Sequence, residues 1–362
     1  MPSEKKLKIA FICPYQRDIA PGQRFRYEQY LDILSMLGHS WQLFPFLDKR
    51  TNDILYKKGM YFRKMLGVIR GFISRKLLLF SISKFDYVFI FREATPIGPP
   101  FFEWFIAKIL RKKIIYDFDD AIWIPNTSRE NILVSGLKYH RKVRSICRWS
   151  YKVSCGNQYL CDFASAYNKN VVLNPTTIDT KNLHHKTKVQ AGDNPVIGWT
   201  GSHSTLRYLN TLIPALKKLE SAYEFTFLVI ADKDPELPLT SYRFARWNID
   251  TELEDLLRIN IGVMPLEEDP WSKGKCGFKA LQYMALGIPA LVSPVGVNTL
   301  IVDDGKNGFI CRTEQDWYEK MEYLLKNEQA RTQLGREARE KVIKHYSVES
   351  NTVNFLSLFE IH

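Results

Sequence analysis

The 362-residue sequence predicts an α/β protein built from two consecutive, doubly wound halves with parallel sheets. Three observations carry this. Short apolar runs alternate with helical patterns, as parallel βαβ units require. The alternation runs to about residue 173 and restarts at residue 196. Between the two lies a polar stretch, residues 180–194, containing Gly192 and Asp193, which reads as a linker. The expected boundary is 1–182 against 183–345.

In the first half, Lys8-Ile9-Ala10-Phe11-Ile12-Cys13 is a buried strand, because its apolar run is continuous and short. Residues 14–22 form a loop, and 24–37 a helix stopped by Gly38. Strands follow at 41–46 and 87–91, a helix at 101–110, a strand ending in acids at 113–117, and a strand at 171–173. In the second half, strands are expected at 196–199, 226–230, 261–264 and 289–293. Helices are expected at 205–219, 278–286, 316–326 and 328–345.

Composition is ordinary for a globular chain, with 45% hydrophobic and 25% charged residues. No apolar run approaches the roughly 20 residues needed to span a bilayer. The apolar stretch 7–13 is too short for a secretory signal and no cleavage site follows it. Six cysteines lie scattered with no C-x-x-C pair, so neither a zinc site nor a disulfide framework is indicated. The chain reads as cytoplasmic, with reduced thiols.

The net charge of +12 is uneven. Residues 1–182 carry 30 Lys and Arg against 15 Asp and Glu, whereas 183–362 carry 21 against 24. That asymmetry points to a polyanionic or membrane partner for the first half. Residues 54–85 hold eight basic residues and no acidic one. Phe62, Met65, Leu66, Ile69, Phe72 and Ile73 fall at helical spacing, with Arg63, Lys64 and Arg70 off that stripe. Such a helix suits an anionic membrane surface; a core-facing helix with a solvated basic back would show the same spacing. The charge of the half favours the membrane.

In open parallel sheets, ligands bind outside the carboxyl ends of strands, so the strand-exit loops are the candidate sites. Gly198-Trp199-Thr200-Gly201-Ser202-His203-Ser204-Thr205 runs from strand to helix, and Gly201 lets a ligand approach the backbone. A helix start there favours phosphate, although plain βα turns use the same small residues. Trp271-Ser272-Lys273-Gly274-Lys275-Cys276-Gly277-Phe278-Lys279 puts lysines and glycines before a helix, which suits a diphosphate. It lacks the G-K-[ST] ending of a P-loop, so an NTPase is disfavoured.

Tyr116-Asp117-Phe118-Asp119-Asp120 gathers three carboxylates at a strand end. They call for a cation, acid–base work or a helix cap, and a D-x-D metal motif would look the same. Pro21-Gly22-Gln23-Arg24-Phe25-Arg26-Tyr27 offers two arginines to an anion or to solvent. Arg92-Glu93, after the strand at 87–91, contributes to the same cleft or forms a local ion pair. The histidines form no metal-binding pattern and no G-x-S-x-G elbow is present.

Together these features resemble the retaining GT-B glycosyltransferases of family four, the glycosyl transferases group 1. Leu37-Gly38-His39 looks like the family's L-x-x-x-G-H passage, and Asn174-Pro175-Thr176-Thr177-Ile178-Asp179 is similar to its P-N-G-[VI]-D segment. Residues 261–265 and 279–293 resemble its D-[IV]-x-[VL]-x-P and L-E-A-M-A-x-G-x-P-V regions. Asp303-Asp304-Gly305-Lys306-Asn307-Gly308-Phe309 resembles [IV]-x-[DE]-G-x-x-G-x-L.

The resemblance implies two facing Rossmann-like domains. The nucleotide-sugar donor sits mainly on the second, the acceptor mainly on the first, and a last helix, residues 346–362, returns to the first. No metal or cofactor is implied, since helix dipole and basic side chains neutralise charge. The family's two glutamates fall at Gly274 and Gln282, and its basic pair lies nearest His203 and Arg207. Glu267, Glu268 or Asp269 are the substitutes at hand for the first glutamate.

On this reading Asp119, Asp120, Lys275 and Lys279 are catalytic. Gly22, Gly201, Ser202, His203, Arg207, Trp247, Gly277, Phe278 and Gln282 bind the donor. Arg24, Arg26, Arg92, Glu93 and Asp117 bind the acceptor. The expected activity is hexosyl transfer from a nucleoside-diphosphate-sugar to a saccharide or lipid-linked acceptor at the inner face of a bacterial membrane, with no nucleic-acid partner. The alternatives are a GT-B nucleotide-sugar epimerase and a non-enzymatic basic scaffold or nucleic-acid binder.

Overall fold

The computed structural model describes residues 5–55, 57, 59–125, 139–192 and 194–361. Asp193 of the linker and Lys58 of the basic run lie outside the described residues. The chain forms two compact units, Met1–Thr176 with Thr352–His362, and Thr177–Asn351. The division falls before residue 182 because Ile178 is tied to the second unit: its N–H donates to Tyr346 O at 2.8 Å, and Val348 N–H donates back to Ile178 O at 3.1 Å.

The first unit holds a six-stranded sheet of β1 (Lys8–Cys13), β2 (Ser40–Pro45), β3 (Tyr87–Phe91), β4 (Lys113–Phe118), β5 (Lys152–Cys155) and β6 (Val171–Leu173). The spatial order is β2-β1-β3-β4-β5-β6, and the paired strands are parallel. β3 is buried along its whole length, as a central parallel strand covered on both faces must be. The order reverses between β1 and β3, which makes their carboxyl ends the crevice of this sheet.

The helix expected over 24–37 is broken. A single turn, Pro21–Arg24, and a 3₁₀ turn, Glu28–Tyr30, precede α1 (Leu31–Met36). The reason is local. Gln23 and Glu28 spend their side chains on the preceding loop, accepting from Tyr15 N–H and Asp18 N–H, each at 2.9 Å. The expected helix 62–73 is longer, α2 (Tyr61–Ser81). Its inner face is small: a Cβ on Gly67 would stand 2.2 Å from Thr51 Oγ1, and one on Gly71 2.7 Å from the Phe46 ring. After β3 comes α3 (Phe101–Trp104), continued by a π-helical turn, Phe105–Ile109. α4 (Lys142–Trp149) and α5 (Gln158–Ser165) complete the layers around β5.

The second unit's sheet contains β7 (Val196–Gly201), β8 (Thr226–Ala231), β9 (Tyr242–Arg246), β10 (Ile261–Met264), β11 (Ala290–Val292) and β12 (Gly308–Ile310). Its order is β12-β11-β10-β7-β8-β9, again with parallel pairing. The chain winds outwards from β7 in both directions, so the switch point lies between β7 and β10. The expected helix 205–219 is two pieces, a 3₁₀ helix His203–Thr211 and α6 (Ile213–Glu220). Pro214 sits in the first turn of α6, where its missing N–H costs nothing; further into a continuous helix it would break the ladder.

α7 (Phe278–Ala285), α8 (Glu314–Lys326) and α9 (Glu328–His345) follow the sequence expectation closely. α8 opens with a capping box between Thr313 and Asp316. The core gathers Trp199, Leu216, Phe227, Val263, Leu291 and Met321. The last helix, α10 (Val348–Ser357), carries the chain into the first unit. There Phe355 stacks on Tyr30 with ring centroids 4.2 Å apart. Among the described residues, no helix is long and apolar enough to cross a membrane.

Candidate functional site

Each unit brings candidate residues together at the carboxyl end of its own sheet. In the second unit they sit on the two loops of the β7/β10 switch. β7 ends at Gly201, where a Cβ would meet the Trp199 ring at 2.5 Å and Lys279 Cε at 2.7 Å. The site is therefore glycine because the Lys279 stem lies across it. The Lys279 ammonium stands 5.3 Å from the centroid of the Trp199 ring, an attractive cation–π placement. Lys275 is placed likewise over Trp271, at 5.2 Å. Gly277, the N-cap of α7, has φ +70°, the left-handed region where glycine is favoured, and a Cβ there would stand 2.0 Å from Ile301 Cδ1. The result is a helix N-terminus with two lysines beside it, a cradle suited to a diphosphate.

Two links fasten the loops, and neither was foreseen in full. Tyr208 Oη and Ser272 Oγ share a hydrogen bond of 2.9 Å, joining the segment after β7 to the turn after β10. Ser272 N–H in turn donates to the capping carboxylate of Asp269 at 2.7 Å. Arg207 belongs to the same group: Nη2 donates to Tyr208 Oη at 3.0 Å and reaches Asp269 at 4.0 Å. His203 is held by Asp232, whose two carboxylate oxygens take its N–H and its Nδ1, each at 2.6 Å. Asp232 follows β8 directly, and Trp247 N–H donates to Ala231 O one residue earlier, at 2.9 Å. The indole Nε1 donates to Glu252 at 3.1 Å.

Ser202 bonds Ser204 through the hydroxyls at 2.9 Å. Phe278 opens α7, and Gln282 lies buried in its second turn. Gly274 closes the short helix Pro270–Lys273, and Glu268 pairs with Lys273 at 3.3 Å.

In the first unit, Gly22, Arg92, Asp119 and Asp120 converge. Arg92 Nε donates to Asp119 at 2.9 Å and Nη2 to Asp120 at 2.6 Å. A Cβ on Gly22 would stand 3.0 Å from Asp119 and 3.4 Å from the Arg92 guanidinium, so residue 22 is a wall of this cluster. Arg92 has φ +61°, a strained value for a long side chain. It is held there by its N–H on Asp117 O at 2.7 Å and by Tyr116 Oη on its carbonyl at 2.7 Å. Burial raises the Asp119 pKa above the ordinary carboxylate value, against the pull of Arg92. Burial works against the Arg92 charge, but Asp119 and Asp120 hold its pKa up. Glu93 pairs with Lys142 at 2.6 Å.

Two expected acceptor residues need correction. Asp117 and Arg26 are fully buried and paired with each other. Arg26 Nε donates to Asp117 at 3.1 Å, Ser154 Oγ donates to the same carboxylate, and Arg26 also bonds Asn174 O. They clamp β4, β5 and the end of β6 and do not face a ligand. Arg24 is buried over the Phe25 ring at 5.1 Å, so neither arginine is a solvated loop charge. The D-x-D reading fails with them, because Asp117 turns to Arg26 while Asp119 turns to Arg92.

α2 is not a core-facing helix along its whole apolar stripe. Of the stripe, Phe62, Met65, Ile69 and Ile73 are exposed and Leu66 and Phe72 half-buried, and Leu77 and Phe80 extend the exposed part at 63% and 84%. Arg63 is exposed, Lys64 partly so, and Arg70 lies 3.7 Å from Asp48 with most of its side chain in solvent.

Residues 180–341 match the family model of the glycosyl transferases group 1. Similar solved structures cover nearly the whole chain. Sucrose-phosphate synthase from Thermosynechococcus elongatus has a TM-score of 0.72 at 13% identity, covering 98% of each chain. HepE from Anabaena, solved with UDP and glucose, has a TM-score of 0.66 at 13% identity, covering 98% of this chain and 100% of that one. The catalytic domain of starch synthase IV from Arabidopsis thaliana, bound to ADP and acarbose, has a TM-score of 0.68 at 12% identity, covering 98% and 99%. At these identities the likeness is one of fold, and the fold is GT-B. No curated protein matches the sequence. The match over residues 180–341 bears out the resemblance read from the motifs.

Proposed function

From the match of residues 180–341 to the group 1 glycosyltransferases, we propose that this chain is a retaining, metal-independent transferase. It moves a sugar from a nucleoside-diphosphate-sugar to a hydroxyl of a saccharide or lipid-linked acceptor, in synthesis of bacterial cell-surface polysaccharide or glycolipid. The observation that supports this most is the cradle at the β7/β10 switch. There Lys275, Lys279 and the α7 N-terminus at Gly277 gather positive charge of the kind a departing diphosphate needs.

In this mechanism the acceptor hydroxyl attacks the anomeric carbon on the face the diphosphate leaves. The leaving phosphate oxygen takes the acceptor proton, and configuration is retained. Lys275, Lys279 and the Gly201-Ser202 turn stabilise the charge that develops on the phosphate. His203, positioned by Asp232, adds a further hydrogen-bonding group to that end of the sheet. Gln282 stands in for a ribose-binding glutamate, and Trp247 lies towards the base. In the first unit Asp119 and Asp120, ordered by Arg92, orient the acceptor or the transferred sugar. No cofactor is used; the nucleotide-sugar is a substrate.

The exposed apolar stripe of α2, edged by Arg63, Lys64 and Arg70, supports a peripheral place on the anionic inner leaflet. Basic residues bind an anionic interface at roughly 1 kcal/mol each, and the exposed phenylalanines add apolar burial.

Calorimetric titration with UDP, GDP, ADP and TDP, first without metal and then with Mg²⁺, tests the donor half. One nucleotide should bind without metal, and Lys275→Ala with Lys279→Ala should remove that binding. Failure of all four to bind defeats the reading. The anomeric configuration of the product, read by NMR, tests retention.

A further inference from the structure

We infer that the groove between α2 and α3 in the first unit holds the hydrocarbon chain of a phosphate-linked lipid acceptor. The inference rests on the transferase reading and names the class of its acceptor. The groove has a volume of about 420 Å³, within the ~300–1,000 Å³ of ordinary ligand sites. Its walls include Phe72, Ile97, Pro99, Phe101 and Phe102. Phe72 and Phe102 lie 6.4 Å apart by ring centroid, and Phe101 and Phe102 5.5 Å. Phe101 is half exposed, so apolar surface is left open in a folded chain. A hydrocarbon entering it gains about fourfold in affinity for each methylene taken from water.

Charge fixes the head group. Among the described residues lining the groove, Lys76 alone is charged. A cation beside an aromatic trough suits an amphiphile with an anionic head, and in a sugar acceptor that head is the phosphate that links saccharide to lipid. α2 also places the groove beside its own exposed stripe, where Ile73, three residues before Lys76, and Leu77, directly after it, are exposed. A chain held by a membrane therefore has a continuous apolar path into the groove.

The groove is also rigidly joined to the Arg92–Asp119 cluster. The wall 95–99 begins three residues after Arg92. The intervening backbone is pinned four ways. Arg75 Nε donates to Ala94 O at 2.7 Å, and Ala94 N–H donates to Glu103 at 2.9 Å. Lys142 Nζ donates to Thr95 O and pairs with Glu93, each at 2.6 Å. A lipid phosphate at Lys76 would thus leave its attached saccharide at a fixed place relative to Asp119 and Asp120.

The test uses the full chain without vesicles and a dodecyl phosphate carrying a photoreactive diazirine near the chain end. Adducts are mapped by peptide mass spectrometry, with farnesyl phosphate as competitor. Labelling should fall on residues 72–76 and 95–102 and drop at least tenfold in Phe101→Asp, a variant at a half-exposed position whose fold is checked by circular dichroism. Lys76→Ala should weaken dodecyl phosphate about fivefold, the worth of one exposed ion pair, and leave dodecanol unchanged. Competition by farnesyl phosphate assigns an isoprenoid chain; its absence assigns a straight alkyl chain. Label spread along the exposed face of α2 and insensitive to Phe101→Asp overturns the site, as does a change of oligomeric state in that variant. UDP titration of the same preparation separates the two readings. Groove labelling without nucleotide binding sinks the transferase reading alone, and nucleotide binding without groove labelling sinks the groove alone.

Discussion

Arg75 Nη2 donates to the main-chain oxygen of Cys13 at 2.9 Å, joining the middle of α2 to the last residue of β1. The same guanidinium donates to Phe44 O at 2.8 Å and Ala94 O at 2.7 Å. One buried side chain thereby fixes the helix with the exposed apolar stripe to the exits of β1, β2 and β3. Those exits are where the Arg92–Asp119 cluster is built. Burial pulls the Arg75 pKa down to about 10, which leaves it charged at neutral pH. Arg75→Met should cost about 3 kcal/mol, from three orphaned carbonyls at ~1 kcal/mol each. Urea denaturation measures this; an unchanged midpoint would show that the anchor is dispensable.

Membrane attachment separates into two parts that substitution can tell apart. Arg63→Gln with Lys64→Gln and Arg70→Gln removes about 3 kcal/mol of attraction to anionic lipid, roughly 100-fold in partitioning. Neutral vesicles should show little change with that triple variant. Ile73→Asp with Leu77→Asp should weaken binding to both kinds of vesicle, because it removes the apolar part. Equal partitioning of all variants in a co-sedimentation assay would leave α2 without a membrane role.

Gly201 and Lys279 should behave as one unit. Alanine at 201 puts a methyl group where the Lys279 stem and the Trp199 ring already lie, at 2.7 and 2.5 Å. The lysine stem can move and the indole cannot, so Gly201→Ala displaces the ammonium. Gly201→Ala and Lys279→Ala should therefore lower nucleoside-diphosphate affinity by similar factors, about tenfold or more for a lost charge-assisted contact. The double variant should be little worse than either alone. Additive losses in calorimetry would separate the two residues.

The parallel halves, the switch-point loops and the lysine-flanked helix start were legible because each is written in a few adjacent residues. The three strands that sequence reading passed over are short or mixed. β5 is Lys-Val-Ser-Cys, β12 only Gly-Phe-Ile, and β9 an edge strand of five residues that includes two arginines. Pairing across long intervals left no local trace. Asp117 and Arg26 stand 91 residues apart, so a buried clamp and a ligand-binding pair looked the same in one dimension. The stripe on α2 was visible, but its direction was not. Gly67 and Gly71 give the inner face to Thr51 and Phe46, and that packing leaves Phe62 and Phe80 outward.

The C-terminal segment gives the clearest pH signature. Glu360 accepts from Tyr151 Oη, from Tyr87 Oη at 2.6 Å and from Lys113 Nζ at 2.9 Å. These bonds, led by Tyr151, lower its pKa to about 2. A carboxylate depressed on folding adds stability above its unfolded value, ordinarily near 4.5, and loses it as pH falls towards 2. Wild type should therefore melt above Glu360→Gln at neutral pH, and the gap should close between pH 4.5 and 2. A gap constant across that window would mean that the carboxylate contributes by shape alone.

Asp117 and Asp119, two residues apart, should give opposite phenotypes. Asp117 is fully buried against Arg26. Replacing one partner of such a pair strands the other's charge in the interior, at about 3–5 kcal/mol. Asp117→Asn should thus unfold at markedly lower urea and lose activity only in proportion to the folded fraction. Asp119 lies at the surface of its cluster, its side chain 13% exposed beside Arg92, which keeps Asp120 as a second partner. Asp119→Asn should hold stability within about 1 kcal/mol, since its amide oxygen still accepts from Arg92. Turnover should fall 100-fold or more if Asp119 orients the reacting groups, a loss of about 2.7 kcal/mol in transition-state binding. Denaturation and turnover measured on both variants decide the matter: equal losses of stability would make both aspartates structural and move the chemistry of the first unit away from this strand end.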